Sequence, residues 1–595
     1  MHANYAERVD ALRRWLEEQA LDALVIPHED EFLGEYIPAH NERLHWATGF
    51  TGSAGAAVIT RDNAAMFVDG RYTVQVRKQV PGDIFEYRHL IEEPALQWLL
   101  TNLPQGSKVA IDARLHSANW LANAKQAVEG KINLITIDSN PIDTLWHDRP
   151  APLLTQARLM GNDIVGQSSA DKRAKIGQAL TQAGTDAALL SQLDSICWLL
   201  NIRGGDVSRL PVLLSTAIVE ANGNVTLFID PNRLPEAFSA HVGAGVSIQS
   251  PDALASSLAG FGGKTVLVDP QTSNAWASEV LANNGACIVH ATDPCMLPKA
   301  AKNPVEIAGM KASHVRDGVA VSRFLAWLDA QVNANNLPNE AELSDKLYQF
   351  RELDETLADL SFDTISAAGG NAAMCHYNHL NQPKPGELEI NNVYLVDSGG
   401  QYPDGTTDIT RTIAIGECAD DVKQAFTLVL KGHIALTTAR FPKGTAGSQL
   451  DALARQYLWA HGFDYDHGTG HGVGHFLSVH EGPQRIAKAP NTVALLPGMV
   501  LSNEPGYYRA DAFGIRIENL ELVVEVPTQG DMSMLGFESL TRAPIDRRLV
   551  DITLLTDSEI AWWNDYHQKV WTDISPSLEG YDLAWLEQAT APLSR

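Results

Sequence analysis

Four carboxylates set inside apolar, β-branched runs constrain this chain more than any other feature. Tyr394-Leu-Val-Asp397-Ser-Gly-Gly reads as a strand ending in a carboxylate and a turn. Gly405-Thr-Thr-Asp408-Ile-Thr-Arg-Thr-Ile reads as the β-branched return strand, and a hairpin would set Asp397 beside Asp408. Val500-Leu-Ser-Asn-Glu504-Pro-Gly and Gly514-Ile-Arg-Ile-Glu518-Asn-Leu-Glu-Leu read as two more buried strands, each with a glutamate among apolar neighbours. Carboxylates buried close together cannot all stay ionised, because desolvation and mutual repulsion both oppose the charge. Two divalent cations would neutralise them.

The segment His467-Gly-Thr-Gly-His471-Gly-Val-Gly-His475 adds imidazoles on a glycine-rich backbone that lets a ligand approach closely. Oxygen donors with one imidazole form a hard ligand set that suits manganese, with zinc or cobalt as alternatives. Two such ions roughly 3.5–4 Å apart can hold a bridging hydroxide, the usual nucleophile of two-metal hydrolases. Other chemistries find less support. A single buried carboxylate ordinarily caps a turn or pairs with arginine; only the ordered set of them points to metal. Gly468 to Gly474 resembles a phosphate loop but lacks Gly-Lys-Ser/Thr. No serine stands in Gly-x-Ser-x-Gly. Cys375, beside His376, shows no environment that would lower its pKa and reads as a small packing residue.

At 595 residues the chain exceeds what one hydrophobic core organises. Its first half reads as one α/β unit written twice. Asp22-Ala-Leu-Val-Ile parallels Asp186-Ala-Ala-Leu-Leu, Met66-Phe-Val-Asp parallels Leu227-Phe-Ile-Asp, and Val109-Ala-Ile-Asp parallels Val266-Leu-Val-Asp. Pro141, Pro150 and Pro152 mark a break between the two, and Pro294 to Asn303 a second break before a long helical pattern from Pro304 to Gln331. The expected domains are therefore 1–150, 151–303 and 304–595.

The 72 acidic against 45 basic residues give a net charge of −27, which disfavours nucleic acid and anionic membrane surfaces as partners. Five scattered cysteines without a Cys-x-x-Cys pair fit a reducing compartment. Met1 to Gln19 is charged and amphipathic rather than signal-like, and no apolar run approaches membrane-spanning length, so a soluble cytoplasmic protein is expected.

The ordered set of these strands, together with Ala373-Met-Cys-His376-Tyr, Val479-His480-Glu-Gly-Pro, Phe537-Glu-Ser-Leu-Thr and Asn564-Asp-Tyr-His567, resembles the aminopeptidase P branch of the creatinase/prolidase/methionine-aminopeptidase superfamily. The likeness covers essentially the whole chain and is to the long, three-domain cytosolic form. It implies two creatinase-like α/β domains ahead of a catalytic domain of "pita-bread" α/β fold. It also implies a homodimer that removes the first residue from short peptides with proline second. Carried over, the metal ligands would be Asp397, Asp408, His471, Glu504 and Glu518. Asp408 and Glu518 would bridge, Asp397 would complete one site, and His471 with Glu504 the other. Glu504 would also move a proton, and His376 and His480 would stabilise the oxyanion. His467 would line the pocket beyond the scissile bond, and Arg516 and Tyr508 would orient a ligand carboxylate. His475 departs from the pattern, standing where many long relatives would carry serine. A prolidase-like dipeptidase, a methionine aminopeptidase and a catalytically silent binding module of the same fold remain alternatives.

Overall fold

The computed structural model describes residues 5–595, which divide into two compact units. One holds the chain up to Met160 together with Gln167–Cys295; the other holds Gly161–Gly166 and Met296–Arg595. Of the amphipathic N-terminal stretch, Tyr5–Glu18 is a helix that buries Val9, Leu12 and Leu16, while the first four residues lie outside the described range.

The first unit contains two six-stranded mixed sheets of matching order. In one, Ala23–Pro27 runs antiparallel to Ala56–Thr60 and parallel to Lys108–Ile111. In the other, Ala187–Leu190 runs antiparallel to Thr216–Glu220 and parallel to Thr265–Val268. All three pairs of matching sequence segments fall on equivalent strands. The repeated aspartates also keep one task. Asp22 accepts the backbone N–H of Lys108 at 2.8 Å, and Asp186 accepts that of Thr265 at 2.7 Å. The two halves meet in a reciprocal exchange, Ala118 N–H to Ser273 O and Ala275 N–H to His116 O. Ser117 and Asn274 cap the two helices that begin there.

In the second unit the long helix runs Pro304–Asn333, opened by a capping box of Asn303 and Glu306 with proline in its first turn. Asn303 also donates to the Val165 carbonyl, which is how the short helix Asn162–Val165 joins this unit. Ile365–Ala368, Asn392–Ser398 and Ile409–Ile415 form a three-stranded antiparallel sheet. A six-stranded antiparallel sheet includes Glu481–Ile486, Gly470–Gly472, Val500–Asn503 and Asn519–Val526. Helices Asp420–Thr437 and Asp557–Ile574 bury Phe426, Val429, Trp563 and Val570 in a shared core. The segment Gly514 to Leu522, expected as one strand, is two. Phe513–Arg516 pairs with Gly506–Arg509, Asn519–Val526 pairs with Val500–Asn503, and Ile517 and Glu518 carry the chain from one sheet to the other.

Candidate metal centre

Each of the four carboxylates sits where a strand begins, ends or breaks. Asp397 is the penultimate residue of Asn392–Ser398, opposite Thr410 in the antiparallel register. Asp408 stands one residue before Ile409–Ile415, after a small intervening hairpin of Gly400–Tyr402 and Gly405–Thr406. Glu504 follows Val500–Asn503, and Glu518 lies in the break between two sheets, its N–H bonded to Thr410 O. His471 is central in Gly470–Gly472. The flanking glycines are obligatory at this spacing: a Cβ on Gly470 would sit 1.9 Å from Ser502 O, and one on Gly472 would sit 2.5 Å from Glu481 O.

The ligand-type atoms of Asp408, His471 and Glu518 lie within 4.8 Å of one another, and His471 Nε2 is 3.5 Å from both Asp408 Oδ2 and Glu504 Oε1. Asp397, Asp408 and Glu518 are all buried. His475 is buried too, but is not among the clustered ligands. Supporting groups fix the cluster from behind. Arg516 donates to Asp397 Oδ2 at 2.6 Å, to Tyr508 Oη at 2.7 Å and to Thr410 Oγ1 at 3.1 Å. Its guanidinium is thus engaged with the carboxylate cluster. Thr410 donates to Glu518 Oε2 at 2.7 Å, and Ser502 accepts from His471 N–H while donating to Glu504 Oε1. Thr410 and Ser502 escaped the sequence reading, although each lies two positions from a carboxylate, on the same face of its strand.

The electrostatics are those of a site short of positive charge. Burial, then repulsion from Asp408 and Glu504, raises Asp397 to about 7 despite Arg516. Burial and the neighbouring carboxylates likewise raise Glu504 and carry Glu518 well above the usual range. Burial alone would lower His471, but its contact with Asp408 and the charge of Glu504 outweigh that and lift it to about 9. Two buried oxygens, Asp397 Oδ1 and Asp408 Oδ1, have no hydrogen-bond partner. His471 Nδ1 lies 2.9 Å from Gly472 O, an acceptor, so Nδ1 carries the proton and Nε2 faces the carboxylates. Orphaned anionic oxygens, raised carboxylate pKa values and an aimed imidazole nitrogen are the features of a donor set fitted to divalent cations.

The His480 ring meets that of His471 edge-on at 4.4 Å between centroids. His467 lies between Tyr465 and Tyr508; loss of water around the ring, then the Arg516 charge, lowers it to about 3. Its Nδ1 donates to Gly468 O, so Nε2 accepts from the Tyr508 hydroxyl at 2.8 Å. His376, in a turn after Gly369–Ala373, is near enough for its charge to add to that depression.

The chain is 38% identical over 617 aligned residues to a probable Xaa-Pro aminopeptidase P of Aspergillus flavus, covering 100% of this chain and 93% of that one. Residues 308–525 match the model of metallopeptidase family M24. The chain belongs to that family. Residues 533–593 match the C-terminal region of the same peptidases, and 8–145 and 148–306 each match a creatinase/prolidase N-terminal domain. A probable Xaa-Pro aminopeptidase P of Laccaria bicolor is 39% identical, covering 99% of this chain and 94% of that one. Among solved structures, the X-prolyl aminopeptidase of Caenorhabditis elegans, a cytosolic enzyme with a di-nuclear active site, aligns over 100% of both chains with a TM-score of 0.95 and 33% identity. A Xaa-Pro dipeptidase of Bacillus anthracis shares the fold over 64% of this chain at a TM-score of 0.52 and 22% identity. The architecture is two creatinase-type α/β domains followed by a pita-bread metallopeptidase domain.

Proposed function

We propose that this metallopeptidase removes the N-terminal residue from short peptides whose second residue is proline. The observation that carries the reading is the cluster of Asp397, Asp408, His471, Glu504 and Glu518 with two partnerless buried oxygens. It lies in a chain that aligns end to end with an X-prolyl aminopeptidase. Those five residues would hold two divalent ions, manganese first, with zinc or cobalt able to serve. Bound there, the ions supply Lewis acidity towards the scissile carbonyl and acidify water.

The chain's own residues do the rest. Glu504, raised by burial and held by Ser502, can accept a proton and return it to the departing proline nitrogen, which has no hydrogen of its own. His480, which lies beside His471, and His376 would donate hydrogen bonds to the developing oxyanion. His467, kept neutral and oriented by Tyr508, lines the pocket beyond the scissile bond. Arg516 holds Asp397 in place through a buried charge-assisted bond.

We take 1–150, 151–303 and 304–595 as the three domains, with a homodimer in the cytoplasm as the working form. Among the described residues no helix is long and apolar enough to cross a membrane. The decisive experiment is hydrolysis of Arg-Pro-Pro, Arg-Ala-Ala and Gly-Pro by metal-stripped protein with manganese restored. Metal-dependent cleavage of Arg-Pro-Pro alone is expected. Cleavage of Gly-Pro alone would make the chain a dipeptidase, and no turnover at all would leave a binding module.

A further inference from the structure

A cavity of about 450 Å³ lies against strand Ile409–Ile415, bounded by residues 544–548 and by the C-terminal helix Gly580–Ala589. This volume falls within the range of small-molecule sites, roughly 300–1,000 Å³. Leu325, Ile413, Ile545, Trp585, Ala589 and Ala591 give it an apolar body. None of the five candidate metal ligands lines it.

The charges at its wall do not balance. Three guanidiniums, Arg411, Arg547 and Arg548, face two carboxylates, Asp329 and Asp546. Arg548 engages both carboxylates, at 2.6 Å and 2.7 Å. Asp329 also accepts from Trp585 Nε1, and Asp546 from Ala414 N–H. Arg411 is buried, and its hydrogen bonds end on the carbonyls of Thr410, Glu518, Ala543 and Pro544, on Asn519 Oδ1 and on the Tyr566 hydroxyl. All of these are neutral oxygens. Arg547 donates to a carbonyl as well, that of Gln588 at 3.2 Å. A cavity with apolar walls and one net positive charge favours a ligand with an apolar body and a single negative head.

We propose that this cavity binds an amphipathic monoanion, an aryl or alkyl body carrying one carboxylate or sulfonate. The body lies against Trp585 and Leu325, and the head is held at Arg547. Neither the cavity nor its ligand depends on the peptidase reading, and binding is measured without substrate.

The test uses full-length, manganese-loaded protein and two fluorescent probes that share their rings: 8-anilino-1-naphthalenesulfonate, and neutral N-phenyl-1-naphthylamine. The expected result is one saturable sulfonate site per chain. Arg547→Gln should weaken the sulfonate about 10-fold, the loss of one charge-assisted bond, and leave the neutral amine unchanged. Ala589→Trp, which fills the cavity, should abolish binding of both. The proposal is overturned if the sulfonate does not saturate at one site. It is overturned equally if Arg547→Gln leaves its affinity unchanged or weakens both probes alike. Should Ala589→Trp not fold, the Arg547→Gln comparison decides alone.

Discussion

Removing and restoring the metal at different pH values tests the charge argument directly. In the metal-free chain Asp397 is raised from 3.8 to about 7 and His471 from 6.5 to about 9. A raised folded-state value means that each group contributes stability fully below its unfolded value. That contribution is lost as pH climbs through 7 for Asp397 and through 9 for His471. Over the same window the metal-free site holds protons that a cation must displace, so affinity for the cation rises with pH. Between pH 6 and pH 8 displacement from Asp397 accounts for about one decade and from His471 for about two. Manganese affinity should therefore tighten about 10³-fold, roughly 4 kcal/mol. Glu504 and Glu518, also raised, push in the same direction.

The buried histidines His116, His314, His433 and His567 are depressed by burial to between about 3 and about 4. They destabilise the fold as pH falls below 6.5, with or without metal, and so cancel in the comparison. Calorimetric titration of stripped protein with manganese, in two buffers of different ionisation enthalpy, reads both affinity and protons released. At pH 7 Asp397 and His471 together release about 1.5 protons, and Glu504 and Glu518 add to that on full occupation of the cluster. An affinity that moves less than about threefold from pH 6 to pH 8, with no proton release, would refute the idea that these groups share one charge-starved site.

Other outcomes follow from single contacts. Asp408→Ala or His471→Ala should abolish turnover while leaving the far-ultraviolet circular dichroism intact; an unchanged rate in either would sink the metal mechanism. Arg516→Lys keeps the charge but loses the fork that spans Asp397, Tyr508 and Thr410, and should weaken metal affinity about 10–100-fold by calorimetry. Gly470→Ala forces a Cβ against Ser502 O and should destabilise by about 1–3 kcal/mol in denaturant unfolding, with a further drop in kcat from displaced His471. Lys302 is buried and bridges Glu481 at 2.5 Å and Val473 O at 2.6 Å, tying the His480 and His471 segments together. Lys302→Met leaves Glu481 with Lys299 alone and should destabilise by about 3–5 kcal/mol, read by the same unfolding measurement.

Much of this site was legible in the sequence because its ligands interrupt strong patterns. Asp397, Asp408, Glu504 and Glu518 stand out only against the aliphatic and β-branched runs around them, and the glycines around His471 announce the close backbone approach that the structure shows. The strand break at Glu518 was missed, although the sequence carries a quieter signal of it. Apolar residues alternate at Ile515 and Ile517, then resume at Leu520 and Leu522, a slip of one position. Such a slip would turn one side of a continuous strand to the wrong face, so the chain must change sheets there. Arg516 was harder to place, because its partners Asp397, Thr410 and Tyr508 come from three separate strands, and no local period reports a contact across sheets.

The geometry also explains why the carboxylates sit at strand ends. Within a ladder a side chain is fixed to one face and its backbone to two neighbours, which spaces ligands along a plane. A compact cluster needs donors that converge from more than one sheet. Asp397 comes from the central strand of the three-stranded sheet and Asp408 from the residue before its edge strand, and His471 and Glu504 come from the six-stranded one. Glu518 occupies the crossing, with its N–H on Thr410 O and its carboxylate on the Thr410 hydroxyl. One residue thus fastens the two sheets at the point where their charges meet. Replacing Thr410 with valine keeps the shape and removes only the hydroxyl, so it should loosen the metal site before it loosens the fold.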